Sequence, residues 1–264
     1  MRTSSLTSFT LLLLLNFSFS ASLIAQNKVD ENGLKQGKWI KYQNNKKVYE
    51  GQFINDTPVG TFDYYYPNGH LKIKTTYSDR GRLNRTKLYF DDKQSTLQAE
   101  GNYLDKNKDS TWNFYNKTGQ LVATENYSKG LKQGDFKVFN QRGHLHLLRE
   151  FEQDTLHGQS KEYYENEVLF RLISYQKGIR TGAFKLYYSS GKLFLEGKYK
   201  EDLRDSIWTT YLENGEIEFL DHYQKGILEK RTDKSGRELK IKPEDETIPL
   251  NIDPSQFDPS AIKR

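Results

Sequence analysis

Residues 182–205 read GAFKLYYSSGKLFLEGKYKEDLRD. Phe184 stands at the third position, Tyr187 at the sixth, Gly191 at the tenth, Leu193 at the twelfth and Tyr199 at the eighteenth. The skeleton returns 24 residues later, from Ser206, as Trp208, Tyr211, Gly215, Ile217 and Tyr223. Working backwards, Gly158, Gly134 and Ser110 open further units at the same spacing. Gly60 and Gly37 open two earlier units, and a weaker one begins near Thr86. A fixed period of this length marks a repeat architecture.

The third-position aromatics are Trp39, Phe62, Trp112, Phe136, Phe184 and Trp208. The sixth position holds Tyr42, Tyr65, Tyr115, Phe139, Tyr163, Tyr187 and Tyr211. The eighteenth holds Tyr77, Tyr127, Phe151, Tyr175, Tyr199 and Tyr223. The second half of each unit alternates with period two: Leu193, Leu195 and Tyr199 fall on one side, Phe194, Glu196 and Lys198 on the other. That is a strand with one buried face. The first half is rich in Trp, Phe and Tyr, which favour strands. Its two marker aromatics lie three apart, which requires either a bulge or aromatic contacts on both faces.

Turn signals separate the halves, as at Pro67-Asn68-Gly69, Lys117-Thr118-Gly119, Ser189-Ser190-Gly191 and Glu213-Asn214-Gly215. A second turn closes most units, as at Lys129-Gly130, Lys177-Gly178 and Lys225-Gly226. Each unit is therefore a β-hairpin, and one hairpin alone is not stable in water. Stacking lets the aromatic rows bury one another, at about 150–250 Å² per ring. The expected fold is all-β: an elongated, twisted antiparallel sheet of about eight tandem hairpins. The nineteen marker aromatics are read as structural repeat positions, and Tyr187, Tyr199 and Tyr211 are expected to be core residues of neighbouring hairpins.

The unit from Gly158 departs from the pattern. It has Ser160 where an aromatic is usual and Glu167 where Gly is usual. Arrays tolerate such changes because each unit touches only its neighbours, so drift is the expectation and a specialised groove the alternative.

The ends differ from the array. Arg2, the apolar run Phe9–Leu15 and the small residues up to Ala25 read as a cleavable export signal over 1–25. Residues 26–242 hold the repeats and a closing hairpin that turns at Lys234-Ser235-Gly236. Residues 243–264 carry four of the six prolines and read as an extended or disordered tail. The expected location is periplasmic or secreted.

Composition narrows the chemistry. The absence of Cys excludes disulfides, thiolate metal sites and a lipid-modified Cys. Loss of Arg2 with the signal lowers the formal charge from +5 to +4. Acidic and basic residues are interleaved, so no basic stripe indicates nucleic acid, and nothing indicates a membrane. His144 and His146 share a strand face without a third ligand and read as surface residues. The segment Gly33–Lys38 is one residue short of a phosphate loop and runs into a strand. Glu50, Glu100 and Glu196 recur at one repeat position and read as serving the repeat. No cofactor, metal or catalytic residue is assigned.

The motif Gly182-x-Phe184-x-x-Tyr187-Tyr188-x-x-Gly191-x-Leu193-x-x-Glu196-x-x-Tyr199 resembles the variant MORN repeat. So do Gly60-x-Phe62-x-x-Tyr65-Tyr66-Pro67-Asn68-Gly69-x-Leu71 and Trp112-x-x-Tyr115-x-x-x-Gly119-x-Leu121. The resemblance covers roughly residues 33–226. It implies a twisted sheet of successive hairpins and a protein-binding or scaffolding role. Bacterial proteins with this repeat are often labelled YwqK-type antitoxins, which implies a toxin partner. Choline-binding cell-wall modules repeat a similar hairpin but pair aromatics, usually Trp, at each pocket; this chain has three Trp. A propeller would alternate its hairpins, and Trp39, Trp112 and Trp208 show no odd–even pattern. The expected function is a non-enzymatic exported module that binds an unidentified protein. A glycan-binding module and an antitoxin-like inhibitor are the alternatives.

Overall fold

Two kinds of turn alternate along the chain and build a single antiparallel meander. The computed structural model describes residues 26–241. The signal segment 1–25, the tail 243–264 and Lys242 lie outside the described residues. Eight hairpins follow in order: β2–β3 (Lys35–Gln43, Lys46–Ile54), β4–β5 (Thr57–Tyr65, Leu71–Ser78), β6–β7 (Leu83–Tyr89, Leu97–Leu104) and β8–β9 (Asn107–Tyr115, Leu121–Ser128). Then come β10–β11 (Leu131–Phe139, Leu145–Glu152), β12–β13 (Thr155–Tyr163, Leu169–Gln176), β14–β15 (Ile179–Tyr187, Leu193–Lys200) and β16–β17 (Leu203–Tyr211, Ile217–Gln224). β1 (Lys28–Val29) pairs with β2, and β18 (Ile227–Thr232) with β19 (Glu238–Leu239) forms the closing hairpin. Every strand pairs with its neighbours in chain order, so the sheet is open.

Most hairpins turn through five residues at the tip, as at 188–192, where the Tyr188 amide donates to the Lys192 carbonyl and the Gly191 amide to Tyr188. The hairpins are mostly joined at the other edge by two-residue turns. Both residues there have positive φ, as in Lys177-Gly178 (51° and 80°) and Glu201-Asp202 (53° and 64°). This handedness matches the twist of the flanking strands. The amide of the second turn residue donates to the strand two back: Asp202 to Arg180, Gly178 to Leu156, Gly226 to Arg204. From Asn55-Asp56 onward, acidic and glycine-bearing connections alternate strictly. The sequence reading found the glycine turns and missed Asn55-Asp56, Asp105-Lys106, Gln153-Asp154 and Glu201-Asp202.

A bulge at the opening residue explains the recurrent Gly or Ser. On β13–β14, Ile173 pairs with Phe184 but Tyr175 pairs with Arg180, leaving Gly182 in the extra length at φ 95°. Ser206 sits at the same place with φ 64°. A second register shift falls between the fifth and sixth residues, as at Leu186/Tyr187.

The third- and eighteenth-position rings share one face and meet edge to face. Phe184–Tyr199, Tyr199–Trp208 and Trp208–Tyr223 have ring centroids 5.8, 5.1 and 6.1 Å apart. Trp112, Phe184, Trp208 and Tyr199 are at most 4% exposed. Such contacts add about 0.5–1.5 kcal/mol each beyond area burial. A cation from the start of the first strand covers the rings. Arg204 lies 4.8 Å from the Trp208 centroid and 5.2 Å from Tyr223, Lys108 covers Trp112 and Tyr127, and Lys132 covers Phe136 and Phe151.

Two expectations are corrected. The sixth-position residues are not core. Trp208 covers Gly197, whereas the Tyr211 hydroxyl donates to the adjacent Glu196 at 2.8 Å. Adjacent strand residues point to opposite faces, so the sixth position lies behind the aromatic row. Tyr187 and Tyr211 are half-buried there, and Tyr42 is 60% exposed. Of the open alternatives, both hold: a bulge is present and aromatics occupy both faces. The weak third unit begins at Asn84 rather than near Thr86. Asn84 pairs with Tyr103 as Gly182 pairs with Tyr199, and Thr86 takes the third position opposite Gly101. The spacing from Gly60 to Asn84 is thus 24, and the spacing of 26 from Asn84 to Ser110 reflects the longer tip turn 90–96.

Candidate functional site

The hairpin tips carry a hydrogen-bond staple that the marker positions did not reveal. Where Tyr follows the sixth residue, its hydroxyl donates to a carbonyl of the next hairpin. Tyr66 reaches Tyr89 at 2.9 Å, Tyr164 reaches Tyr187 at 2.7 Å and Tyr188 reaches Tyr211 at 2.8 Å. The rings of Tyr164 and Tyr188 pack edge to face on Phe170 and Phe194, with centroids 5.0 and 5.2 Å apart. Burial pushes both hydroxyls up to about 12, well above the ordinary tyrosine value.

At the fifth hairpin the staple is missing. Asn140 stands where Tyr164 and Tyr188 stand one and two units later. Its carboxamide turns inward and accepts the amides of Arg142 and His144 at 2.9 and 3.0 Å, an arrangement short polar side chains favour at turns. The space that a stapling ring would fill is open. It forms a groove of about 770 Å³ between the β10–β11 and β12–β13 tips. Phe139, Tyr163 and Tyr164 supply aromatic surface, and Arg142 and Glu165, 3.6 Å apart, form an exposed charged rim. His146 also lines the groove. The groove is a surface of aromatic rings framed by hydrogen-bonding side chains, suited to holding a ligand by contact.

The predicted residues divide accordingly. Phe139 and Tyr163 line the groove. Tyr65 and Tyr115 sit on the same sixth-position row and donate to Glu50 and Glu100, the latter at 3.0 Å. The Tyr65 hydroxyl and the Lys47 ammonium hold Glu50 below the ordinary carboxylate range. The recurrent glutamates therefore anchor the row behind the aromatic face. Trp39, Phe62, Tyr77, Trp112, Tyr127, Phe136, Phe151, Phe184, Tyr199, Trp208 and Tyr223 belong to the aromatic face and are remote from the groove lining. Tyr175 is on that face as well, beside the gap left by Ser160. His144 lies 3.5 Å from Glu167, and His70 lies 2.8 Å from Asp91, each reaching the next tip. Among the described residues, no group of three or more His, Asp or Glu is placed to hold a metal. Asn140 itself was missed. Its signal was visible as a non-aromatic residue at the seventh position, which Asn116 and Leu212 share.

The hairpins match known repeats at three places. A family model described as "MORN repeat variant" matches residues 58–79, 156–177 and 180–201. These segments correspond to the β4–β5, β12–β13 and β14–β15 hairpins. No curated protein matches the chain. Two similar solved structures are described as "Crystal Structure of TcdB2-TccC3-Cdc42" and "Crystal Structure of TcdB2-TccC3". They are 11% and 12% identical, with TM-scores of 0.20 and 0.21, and each match covers 80% of this chain and 16% of the other. The chain spans about a sixth of the length of those chains. The β4–β5, β12–β13 and β14–β15 hairpins are thus similar to variant MORN repeats.

Proposed function

We propose that the chain is a non-enzymatic binding module that receives a segment of another protein in the tip groove beside Asn140. The observation that supports this reading is the open groove between the fifth and sixth hairpin tips, where Asn140 stands in place of a stapling Tyr and an aromatic floor meets a polar and charged rim. Such a mixture of Tyr, Phe and Arg is enriched at protein interfaces. Repeat arrays commonly bind through side chains that vary against a constant scaffold. The export signal read in residues 1–25 supports a periplasmic or extracellular location for this activity. Mass spectrometry of the native protein should then find a chain that begins near Gln26, and intact residues 1–25 would remove that part of the proposal.

The test is comparative capture from a cell-envelope fraction. The full chain and an Asn140→Tyr variant are immobilised in parallel. A protein retained by the first and lost by the second supports the groove, and identical retention overturns it. A glycan-binding module is the second reading, favoured by the amides of Asn140, Gln141 and Asn166 beside Tyr163. A glycan array probed with the same two proteins separates it. An antitoxin-like inhibitor would show as capture of a toxin by the wild-type chain only.

A further inference from the structure

The aromatic face is broken at one place, and the break has its own chemistry. Ser160 occupies a third position and presents no ring. The residue at the usual site of the covering cation in that unit is Leu156, so the ring and the cation that would sit over it are missing together. Opposite Ser160, at the cross-strand position where Gly197 underlies Trp208, the chain has Arg149. Arg171 and Arg180 project into the same space from β13 and β14. The result is a cavity of about 320 Å³ that also includes Glu162, Ile173 and Tyr175. It lies on the face opposite the tip groove and owes nothing to it.

The charges of this cavity do not cancel. Arg171 engages Glu162 at 2.6 Å, and both side chains are largely buried. Arg180 engages Asp202 at 2.8 Å and covers the Tyr199 ring at 4.6 Å. Arg149 is half-buried and has no carboxylate partner among the described residues. One cation is therefore left over in a partly desolvated site, where an unpaired charge is costly and an arriving anion is favoured. Ser160 adds a hydroxyl without a hydrogen-bond partner among the described residues. Tyr175 adds a phenol that burial keeps protonated, its affinity for the proton raised above the ordinary value. Both can donate.

We infer that this cavity binds a carboxylate group, held by the Arg149 guanidinium with Ser160 and Tyr175 as further donors. A planar guanidinium matches a carboxylate through two parallel hydrogen bonds. The single surplus positive charge suits a singly charged carboxylate better than a doubly charged phosphate. The carboxylate is supplied either by an acidic side chain or by a chain terminus of a peptide.

The side-chain NMR signal of Arg149 Nε–Hε in the full chain reads the binding. The probes are acetyl-Gly-Glu-Gly-amide, its Gln counterpart, acetyl-Gly-Gly-Gly with a free C-terminus, its amide, and inorganic phosphate. At least one carboxylate peptide should shift the Arg149 signal saturably while its uncharged counterpart does not. The first pair reports side-chain carboxylates, and the second reports chain termini. Arg149→Gln should weaken binding at least tenfold, read from the Arg180 signal, with melting unchanged. The double variant Arg149→Gly with Ser160→Trp recreates the glycine–tryptophan pairing seen at Gly197 and Trp208. It should fold and lose carboxylate binding. The proposal is overturned if no carboxylate peptide binds, if phosphate binds more tightly than either peptide, or if the folded double variant binds as the wild type does.

Discussion

Gly197 lies flat beneath the indole of Trp208, so closely that a Cβ at Gly197 would stand 2.2 Å from Trp208 Cδ2. Gly101 and Trp112 repeat the relationship at 2.4 Å, as do Gly51 and Phe62. The glycine here makes room for the next hairpin's ring; its φ is not in the left-handed region. Gly197→Ala should therefore destabilise the chain by about 1–3 kcal/mol through overpacking. Trp208→Ala should remove the clash, so the double variant should cost less than the sum of the two single changes. Urea unfolding of the four proteins measures this, and simple additivity would refute direct contact.

Equal residue types should behave unequally according to face. Tyr199 is 4% exposed between Phe184 and Trp208, and its replacement by Ala should cost about 3–5 kcal/mol. Tyr211 is half-buried on the other face and holds Glu196 by one hydrogen bond. Tyr211→Ala should cost about 1–2 kcal/mol. Thermal unfolding in which both substitutions cost the same would contradict the assignment of the two faces.

Asn140→Tyr should extend the tip staple. Residue 163 stands 23 positions later, as Tyr187 does for Tyr164, so the new hydroxyl is placed to donate to the Tyr163 carbonyl. The change removes two hydrogen bonds to the Asn140 carboxamide and adds one bond with ring burial, so stability should change by less than about 1 kcal/mol. Accessibility of Tyr163 to iodination should fall. A large loss of stability, or a Tyr163 still fully reactive, would show that the groove is not the vacancy of a staple.

Alkaline pH should weaken the tips. Tyr164 and Tyr188 ionise near 12 in the folded chain because they are buried, and near 10 when unfolded. A folded value raised above the unfolded one gives stability that is complete below pH 10 and lost as pH rises from 10 towards 12. Replacing both tyrosines by Phe should flatten the fall of unfolding free energy across that window. An unchanged slope would place the titration elsewhere.

Much of this was legible from residue spacing. The 24-residue period, the alternation of Leu193, Leu195 and Tyr199, and the Gly-containing tips define strand, turn and pairing partner, because strand periodicity and turn chemistry are local. Tyr42 and Tyr211 were misplaced for a local reason as well. Hydrophobicity alone does not say which face a residue takes once bulges offset the register. The two-residue turns without Gly were hidden because Asn and Asp tolerate positive φ only moderately and Lys, Gln and Glu poorly, so residue type alone does not mark them.

By itself, then, the chain's sequence determined that it is a stack of hairpins with an aromatic row, since each unit carries its own strands and turns. It did not show which departures from the pattern matter. Asn140, Ser160 and Arg149 look like ordinary variation until neighbouring hairpins are set side by side. Only pairing across strands shows that Asn140 leaves a tip unfilled and that Arg149 faces the missing ring at Ser160. Those relationships join residues 11 and 23 positions apart, and close packing between hairpins, rather than any preference within one, decides whether the space between them is filled.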